Sequence, residues 1–361
     1  MPVDLGTTVA GVRLKNPVIC GSGEATMTFA GIWAALDAGA GAVVAKSANE
    51  SEAARRQLDG AAYALLGPDR ELLAWDEPVP ADASLFCRSG LAPLPFEEWL
   101  AGLAELDRYA RTLDSLVIGS LIVADEERAV GLAAAMEAAG LRMLELNLSA
   151  PHGEEAAAGA IRLERAPDQI ARLTARVREA VRLPLLVKLS GQSEDVLAEV
   201  DAAYRGGADA AVLMGRHLGF VPDLERRRPL LGTFAAIGGG WALPLTLRWI
   251  AKARGRFGPD RSLVATNGVR SGLDVARCLL AGAAAVEVCS VVLTEGYPAL
   301  GRLVAELSAY LEGQGIACAA DVIGEAADAV QTYQAVRVGD RPEERVMAWP
   351  GVAPPLPPAS R

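Results

Sequence analysis

A cluster of polar residues at the end of an apolar run is the first place where this chain could do chemistry. Residues 145–153 read Glu-Leu-Asn-Leu-Ser-Ala-Pro-His-Gly and bring together the amide of Asn147, the hydroxyl of Ser149 and the imidazole of His152. The run before Asn147 predicts a buried strand, and the Pro and Gly beside His152 predict a loop. Barrel enzymes carry their catalytic groups at such strand ends. His152 is therefore our first candidate for an acid–base group.

Lysine is rare in this chain, and two of its positions end apolar runs. It occurs only at positions 15, 46, 188 and 252, whereas every other strongly basic residue is arginine. Lys46 and Lys188 follow apolar runs, and a compact ammonium is not interchangeable with a guanidinium. These two positions predict a site that needs a point charge. A carboxylate partner for Lys188 and a chance distribution are the alternatives.

Turns of small residues occur at positions 21–23, 237–240, 267–268 and 288–290. The second precedes a predicted helix, and the other three stand at the ends of apolar runs. Backbone without bulky side chains can approach a flat ring or a phosphate closely. Phosphate sites in barrels lie after strands seven and eight, which is where the last two turns fall. We therefore predict a phosphate site there. Ordinary turns between strands and helices would have the same composition.

Four basic or imidazole side chains are predicted near the same strand ends, namely Arg88, His152, Arg216 and His217. Such a group favours an anionic substrate, such as a carboxylate or a phosphate. Salt bridges to the glutamates at 154–155 are the alternative.

The elements that must position these residues alternate regularly along the chain. Eight short apolar runs are separated by amphipathic helical patterns, such as Pro167–Val181 and Pro244–Ala253. The runs are continuous, as expected for parallel strands covered on both faces. Together they predict a (β/α)8 TIM barrel, which brings all eight strand ends to one mouth. The predicted strands are Pro17–Cys20, Ala42–Lys46, Leu116–Val123, Met143–Leu148, Leu185–Leu189, Ala210–Met214, Leu263–Thr266 and Ala284–Cys289.

Three further segments complete the predicted architecture. Residues 3–14 predict a hairpin that plugs the bottom of the barrel, part of 50–115 predicts a loop over the mouth, and 218–240 reads as irregular. The barrel domain should occupy residues 1–316. Residues 317–361 should form an extension that is partly extended or disordered, because its tail is rich in proline and charge.

Composition excludes several classes of function. The net charge of −10 argues against nucleic-acid or membrane-surface binding, and no apolar run is long enough to span a bilayer. The start lacks the basic region of a signal peptide. The five cysteines form no CxxC motif and no Cys/His cluster, so we expect no metal site and a reducing, cytoplasmic location.

Taken together, the motifs resemble the class 1 dihydroorotate dehydrogenases and the FMN domain of dihydropyrimidine dehydrogenase. The similarity spans residues 3–315, and several motifs in the family's order are far more specific than any one of them. They are Asn16-Pro17, Gly21-Ser22-Gly23, Lys46-Ser47, Asn147-Leu-Ser149, Val187-Lys188-Leu189, Gly238-Gly239, Asn267-Gly268 and Val288-Cys289-Ser290. The resemblance implies an FMN-dependent oxidoreductase acting on CH–CH groups and a homodimer. With no iron–sulfur motif in the chain, any electron-transfer partner would be a separate polypeptide.

The resemblance also implies a set of site residues. The residues that would hold FMN are Gly21, Ser22, Gly23, Lys46, Ser47, Asn147, Lys188, Gly238, Gly239, Asn267, Gly268, Cys289 and Ser290, the last six around its phosphate. At the predicted mouth, the residues that we expect to meet the substrate are Arg88, Ser89, Asn147, Arg216 and His217.

On the substrate side the chain departs from the family's pattern. The family's catalytic Cys or Ser falls on Ala150, which cannot transfer a proton. Amides that would read a pyrimidine ring are replaced near Cys87, at His152 and at Gly215-Arg216. Buried polar groups of a pyrimidine would then lack partners, which is costly. We therefore predict a small anionic substrate other than dihydroorotate, with His152 and then Cys87 as acid–base candidates.

Three other interpretations stay open at this point. The chain could be a dihydropyrimidine or dihydroorotate dehydrogenase with a displaced base. It could be a flavin-binding protein without redox turnover, which would be consistent with Ala150. It could also be a phosphate-binding barrel without flavin.

Overall fold

The structure is a computed structural model. It describes residues 3–49, 56–75, 78–123, 125–149 and 166–336. Its strands are β1 Thr7–Val9, β2 Val12–Leu14, β3 Val18–Cys20, β4 Ala42–Val44, β5 Ala62–Leu66, β6 Ser84–Arg88, β7 Val117–Leu121, β8 Leu144–Asn147, β9 Leu185–Lys188, β10 Ala210–Leu213, β11 His217–Gly219, β12 Pro222–Asp223, β13 Arg228–Pro229, β14 Ala235–Gly239, β15 Ser262–Thr266 and β16 Ala285–Val288. Its α-helices are α1 Phe29–Asp37, α2 Phe96–Thr112, α3 Glu126–Ala138, α4 Pro167–Ala180, α5 Val196–Arg205, α6 Leu243–Phe257, α7 Gly272–Leu280, α8 Ser290–Glu295, α9 Pro298–Gly313 and α10 Glu325–Asp328.

Within the described residues, eight parallel strands close into a barrel in chain order, β3-β4-β7-β8-β9-β10-β15-β16. The predicted TIM barrel is confirmed, and each predicted strand overlaps a barrel strand. Alternate residues of these strands enter two different apolar cores, as the period-2 geometry of a strand requires. Ile19, Ile118 and Val264 pack inside the barrel, whereas Val18 and Leu263 pack against the surrounding helices. Burial on both faces explains why the strands are continuous apolar runs.

The predicted N-terminal hairpin is confirmed as β1 and β2, which pair in antiparallel register. Val9 and Leu14 belong to the core inside the barrel, so the hairpin closes one end of it. The Thr7 hydroxyl donates to the Ala284 carbonyl oxygen at 2.7 Å, and the Ala10 amide donates to Ser262 Oγ at 3.1 Å. These bonds tie the hairpin to the strands at their amino-terminal ends, which leaves the opposite end free for a site.

A four-stranded antiparallel sheet in the order β11-β14-β6-β5 accompanies the barrel. Its register pairs Ala236 with Cys87 and His217 with Ile237. Phe86, Ala64 and Ala235 form its small apolar core. We call this sheet the lid sheet. The prediction of irregular structure in 218–240 is wrong, because the segment contains β12, β13 and β14, and β14 pairs with a distant strand at 84–88, a partnership that local pattern cannot reveal.

By its internal contacts the chain divides into two units, Met1–Asp328 and Ala329–Arg361. In the first unit, the short helix Ala319–Val322 adds Ala319 and Val322 to the main core, and Arg254 pairs with Asp328 at 2.8 Å. The division predicted at residue 316 stays a prediction. The described part of the second unit, 329–336, holds exposed side chains and a turn. None of the described helices is both long and apolar enough to cross a bilayer.

Candidate active site

A cavity of about 330 Å³ opens between the carboxyl ends of the barrel strands and the lid sheet. Barrel strand ends contribute Asn147 and Lys188, and the lid sheet contributes Cys87, Arg88 and the segment that leads into β14. A cavity of this size suits a small molecule. Its wall consists of Ser22, Gly60, Leu85, Cys87, Arg88, Ser89, Asn147, Ser149, Lys188, Gly215, Arg216, Leu218, Thr233, Phe234, Ala235, Ala236, Gly238, Thr266, Asn267, Gly268, Val269, Glu287, Val288, Cys289 and Ser290.

Arg216 is the central cation of the lid side. Its guanidinium donates to the Cys87 thiol and, at 3.1 Å, to Ser89 Oγ. Among the described residues, the carboxylate oxygen that lies closest to it is Glu24 Oε1, at 4.0 Å. Burial lowers the pKa of Arg216, but Cys87 and Glu24 outweigh that effect and raise it overall, so the group stays charged. Arg216 therefore holds two lid residues and still presents positive charge to the cavity.

The Cys87 thiol is buried beside that guanidinium. Burial raises its pKa, and Arg216 opposes the rise without cancelling it. Cys87 is therefore a thiol near neutral pH, with a proton to give.

Glu24 is already committed to another cation. Its carboxylate lies 3.4 Å from Lys46 Nζ, and both side chains are buried. Burial raises the pKa of Glu24, but the opposite effect of Lys46 and Arg216 is larger, so the pKa is lowered overall to about 2. Glu24 stays ionised and neutralises mainly Lys46, which leaves Arg216 only partly balanced.

Lys188 lies on the opposite side of the cavity with two buried carboxylates. It contacts Glu287 directly, and its Nζ is 3.4 Å from Glu145 Oε2. The alternative of a carboxylate partner for Lys188 is thus confirmed, with two partners in place of one. Glu145 and Glu287 are almost fully inaccessible to solvent. We call Lys188, Glu145 and Glu287 the buried triad.

A line of hydroxyl groups joins the buried triad to the cavity. Ser120 Oγ donates to Glu145 Oε1 at 3.1 Å, and Ser47 Oγ lies 2.8 Å from Ser120 Oγ. Ser22, in the cavity wall, lies 3.3 Å from Ser47 Oγ. Asn147 Nδ2 donates to the same Ser47 oxygen at 3.4 Å. Four neighbouring barrel strands, or the turns after them, therefore share one polar network.

The structure brings most of the predicted site residues together. Those in the cavity wall are Ser22, Cys87, Arg88, Ser89, Asn147, Lys188, Arg216, Gly238, Asn267, Gly268, Cys289 and Ser290. Five more of them lie just behind the wall and are joined to it along the chain or by side-chain contacts, namely Gly21, Gly23, Lys46, Ser47 and Gly239. His217 lies outside the wall and packs against Trp241, with ring centroids 5.5 Å apart. His152 lies outside the described residues.

Two backbone features explain the small residues on the phosphate side. Asn267 and Gly268 both have positive φ angles, 77° and 99°. A Cβ atom on Gly268 would lie 2.4 Å from the Leu243 amide nitrogen, so the turn after β15 packs directly on the start of α6. Glycine is therefore required at 268 by local packing, whatever the turn binds.

The charges in the wall are strongly biased. Arg88, Lys188 and Arg216 are the cations there, and Glu287 is the carboxylate. In the described part of the chain no carboxylate pairs with Arg88, and its buried Nε has no hydrogen-bond partner. In a chain with a net charge of −10, this is a local positive site. An anion entering it would find two guanidiniums on the lid side.

Comparison with known proteins agrees with this arrangement. The profile of the dihydroorotate dehydrogenase family matches residues 81–311. The chain belongs to the dihydroorotate dehydrogenase family. The catalytic subunit of NAD(+)-linked dihydroorotate dehydrogenase B from Desulforudis audaxviator is 31% identical over 330 residues, which are 90% of this chain and 98% of that protein. The corresponding subunit from Thermoplasma acidophilum is 25% identical over 324 residues, 90% and 99% of the two chains. A putative dihydroorotate dehydrogenase A (fumarate) from Solibacter usitatus is 27% identical over 328 residues, again 90% and 99%.

Members of the dihydroorotate dehydrogenase family are FMN-dependent oxidoreductases acting on CH–CH groups, and the donor set of this cavity fits that cofactor. One side offers the Lys188 ammonium, the Asn147 amide and the Ser22 hydroxyl, which suit the polar edge of a flat ring. The turns at 267–268 and 289–290, with Gly238, offer small residues for a phosphate. Positive charge in the wall also suits a phosphate dianion.

Sequence reasoning missed three carboxylates, Glu24, Glu145 and Glu287. A signal was present for two of them, because Glu145 and Glu287 interrupt otherwise apolar strands. A glutamate is rarely buried unless it is paired. That rule, applied to the two strand sequences, would have predicted a buried partner for each and pointed to Lys188.

Proposed function

We propose that this chain is an FMN-dependent oxidoreductase that acts on a CH–CH bond of a small anionic molecule other than dihydroorotate. The observation that carries the proposal is the pair of guanidiniums on the lid side, Arg88 and Arg216, which no carboxylate among the described residues neutralises together. Guanidinium groups bind carboxylates and phosphates in bidentate geometry. Bound FMN would supply or accept the hydride, and Arg88, Ser89 and Arg216 would hold the anion.

The amides of the wall support a substrate other than a dihydropyrimidine. Asn147 Oδ1 already accepts from the Ser149 amide and hydroxyl, at 3.1 and 2.8 Å. Asn267 Nδ2 points to the Gly215 carbonyl oxygen at 3.5 Å. Few side-chain amides are therefore free to read the two N–H and two C=O groups of such a ring, and unpaired groups would weaken its binding.

Proton transfer at the substrate is proposed to fall to Cys87 or His152, because Ala150 has no proton to exchange. In the direction of substrate reduction, hydride adds to one carbon of a C=C bond and the Cys87 thiol gives its proton to the next. Solvent then restores the thiol. Its raised pKa suits a donor, and its contact with Arg216 places it beside the proposed anion site.

Dihydroorotate itself is the second candidate, because the printed names of the relatives are those of dihydroorotate dehydrogenases. It also carries a carboxylate that two guanidiniums would bind. This reading requires that Cys87 or His152 replaces the missing base. A flavin-binding chain without turnover is the remaining interpretation.

One measurement separates these candidates. We would record the anaerobic visible spectrum of the purified chain before and after adding dihydroorotate, dihydrouracil, NADH and a panel of small carboxylates. We expect a flavin spectrum that persists with both dihydropyrimidines and bleaches with NADH or with a member of the panel. Bleaching by dihydroorotate would overturn the substrate proposal, and a spectrum that no compound changes would favour the non-turnover interpretation.

The acid–base assignment makes a separate prediction. Cys87→Ala should leave the flavin spectrum intact and slow substrate-driven flavin reduction by roughly 10²–10⁴-fold, the usual contribution of a positioned acid or base. His152→Asn should show that loss instead if the imidazole is the donor. Cys318→Ala, a free cysteine beside the N-terminal segment, is the matched control. Normal reduction rates in both test variants would remove both residues from the mechanism.

We further propose a homodimer and a separate electron-transfer partner. The relatives from Desulforudis and Thermoplasma are each named a catalytic subunit, which implies that another subunit accompanies them. Mass measurement of the purified chain, alone and after co-expression with neighbouring genes, tests both proposals.

A further inference from the structure

The buried triad holds more negative than positive charge. One ammonium, on Lys188, faces two carboxylates, on Glu145 and Glu287, and all three side chains are shielded from solvent. Two carboxylate oxygens, Glu145 Oε2 and Glu287 Oε1, have no hydrogen-bond donor in the described part of the chain. In a buried site of this kind, protonating one carboxyl costs less free energy than keeping a second carboxylate ionised without a cation of its own.

We propose that Glu145 and Glu287 share one proton beside Lys188, and that this proton exchanges with the cavity through Ser120, Ser47 and Ser22. The successive oxygen–oxygen distances from Glu145 to the cavity are 3.1, 2.8 and 3.3 Å. Ser120 and Ser47 are buried, whereas Ser22 is half-buried in the cavity wall. The buried triad is thus a proton store with a hydrogen-bonded path to the site.

The electrostatics support the shared proton. Burial raises the pKa of Glu145, the neighbouring carboxylate of Glu287 raises it further, and Lys188 only partly offsets both. Burial lowers the pKa of Lys188, but the two carboxylates raise it overall, so the ammonium keeps its own proton. The mobile proton therefore belongs to the carboxyl pair.

Other titratable groups near the buried triad do not compete for this role. Cys20 and Cys289 are close to it, and burial raises the pKa of both, that of Cys289 to about 11. Glu24, paired with Lys46, stays ionised because its pKa is lowered. Near neutral pH these groups do not change charge, so they do not supply the proton that the buried triad holds.

The transfer conserves every O–H bond. The Ser120 hydroxyl, which donates to Glu145 at rest, first turns toward Ser47. Glu145 then gives its proton to Ser120, the proton of Ser120 passes to Ser47, that of Ser47 to Ser22, and that of Ser22 to an acceptor in the cavity. No electron moves, and the return path is the reverse. Ser22 opens on the side of the cavity where Lys188 and Asn147 lie. Negative charge that redox chemistry adds there can then be neutralised without entry of bulk water.

The first test is the infrared band of a protonated carboxylic acid in the purified full-length chain at pH 7, without substrate. Wild type should show the band, and Glu145→Gln should lose it. Glu287→Gln should lose it too, because Glu145 then faces Lys188 alone and ionises. Glu105→Gln, on an exposed face of α2, is the control and should keep it. A band that survives either test substitution, or is missing from wild type, would overturn the shared proton. If Glu145→Gln does not fold, Glu287→Gln decides.

The second test concerns the path. After transfer to D2O, the band should shift with deuterium exchange, and Ser120→Ala should slow that exchange at least ten-fold. Ser115→Ala is the matched control, because Ser115 is buried but bonds to the carbonyls of Ala40 and Gly41. Equal exchange rates in wild type and Ser120→Ala would overturn the path. Both tests use no substrate, so their outcome is independent of the proposed function.

Discussion

Replacing Lys188 by methionine should lower the free energy of unfolding by about 3–5 kcal/mol at neutral pH. The substitution keeps much of the side-chain volume but leaves Glu145 and Glu287 buried without a cation. An unpaired buried charge has lost the water that would solvate it, and the alternative, protonating both carboxyls, costs free energy at a pH above their intrinsic values. Urea unfolding of the purified variant measures the loss.

Two variants make this expectation specific. Lys252→Met removes an exposed lysine that lies 5.4 Å from the Trp249 ring, and it should cost no more than about 1 kcal/mol. Lys188→Met combined with Glu287→Gln should recover part of the loss, because the second substitution removes one of the two buried carboxylates that the first leaves without a cation. A loss below about 1 kcal/mol for Lys188→Met alone would show that the buried triad does not depend on its ammonium.

The free energy of unfolding should also fall as the pH is raised from about 5 to 8, and Glu145→Gln should remove that trend. The pKa of Glu145 is raised from 4.5 to about 8, first by burial and then by Glu287. Between pH 4.5 and about pH 8, Glu145 of the folded chain therefore holds a proton that the unfolded chain has released. The stabilisation is therefore complete below about pH 4.5 and is lost as the pH rises through 8, by at most about 1.4 kcal/mol for each pH unit.

Few other groups titrate in this window, which makes the measurement clean. The chain has two histidines. Burial lowers the pKa of His217, so its contribution has the opposite sign, with stability gained as the pH rises through that value. This contribution is present in both proteins and cancels in the difference between wild type and Glu145→Gln. A difference that does not change between pH 5 and 8 would contradict the raised pKa.

Much of the binding side of the site could be predicted from local sequence. Lys188, Asn147 and the turns at 267–268 and 289–290 were assigned to the mouth because each follows an apolar strand, and all of them line the cavity. Parallel strands of a barrel end at one rim, so position along the chain translates directly into position in space.

The substrate side could be predicted only in part. Cys87 was named from the resemblance, and Arg88 and Arg216 were named as positive charge near the strand ends; all three line the cavity. His217 was placed by the same argument but packs against Trp241 instead. The reason is the lid sheet. Its strand β11 turns the His217 side chain away from the cavity, and which way a strand residue faces depends on its pairing partner.

What the sequence by itself determined is the barrel, the rim on which the chemistry lies and the residues near it, because these follow from apolar runs and from what ends them. The tertiary structure alone decided the lid sheet, the contact of Arg216 with Cys87, and the buried triad. Each of these joins residues far apart in the chain, such as Glu145, Lys188 and Glu287. Their charge states depend on burial and on one another, and both arise only when the strands come together.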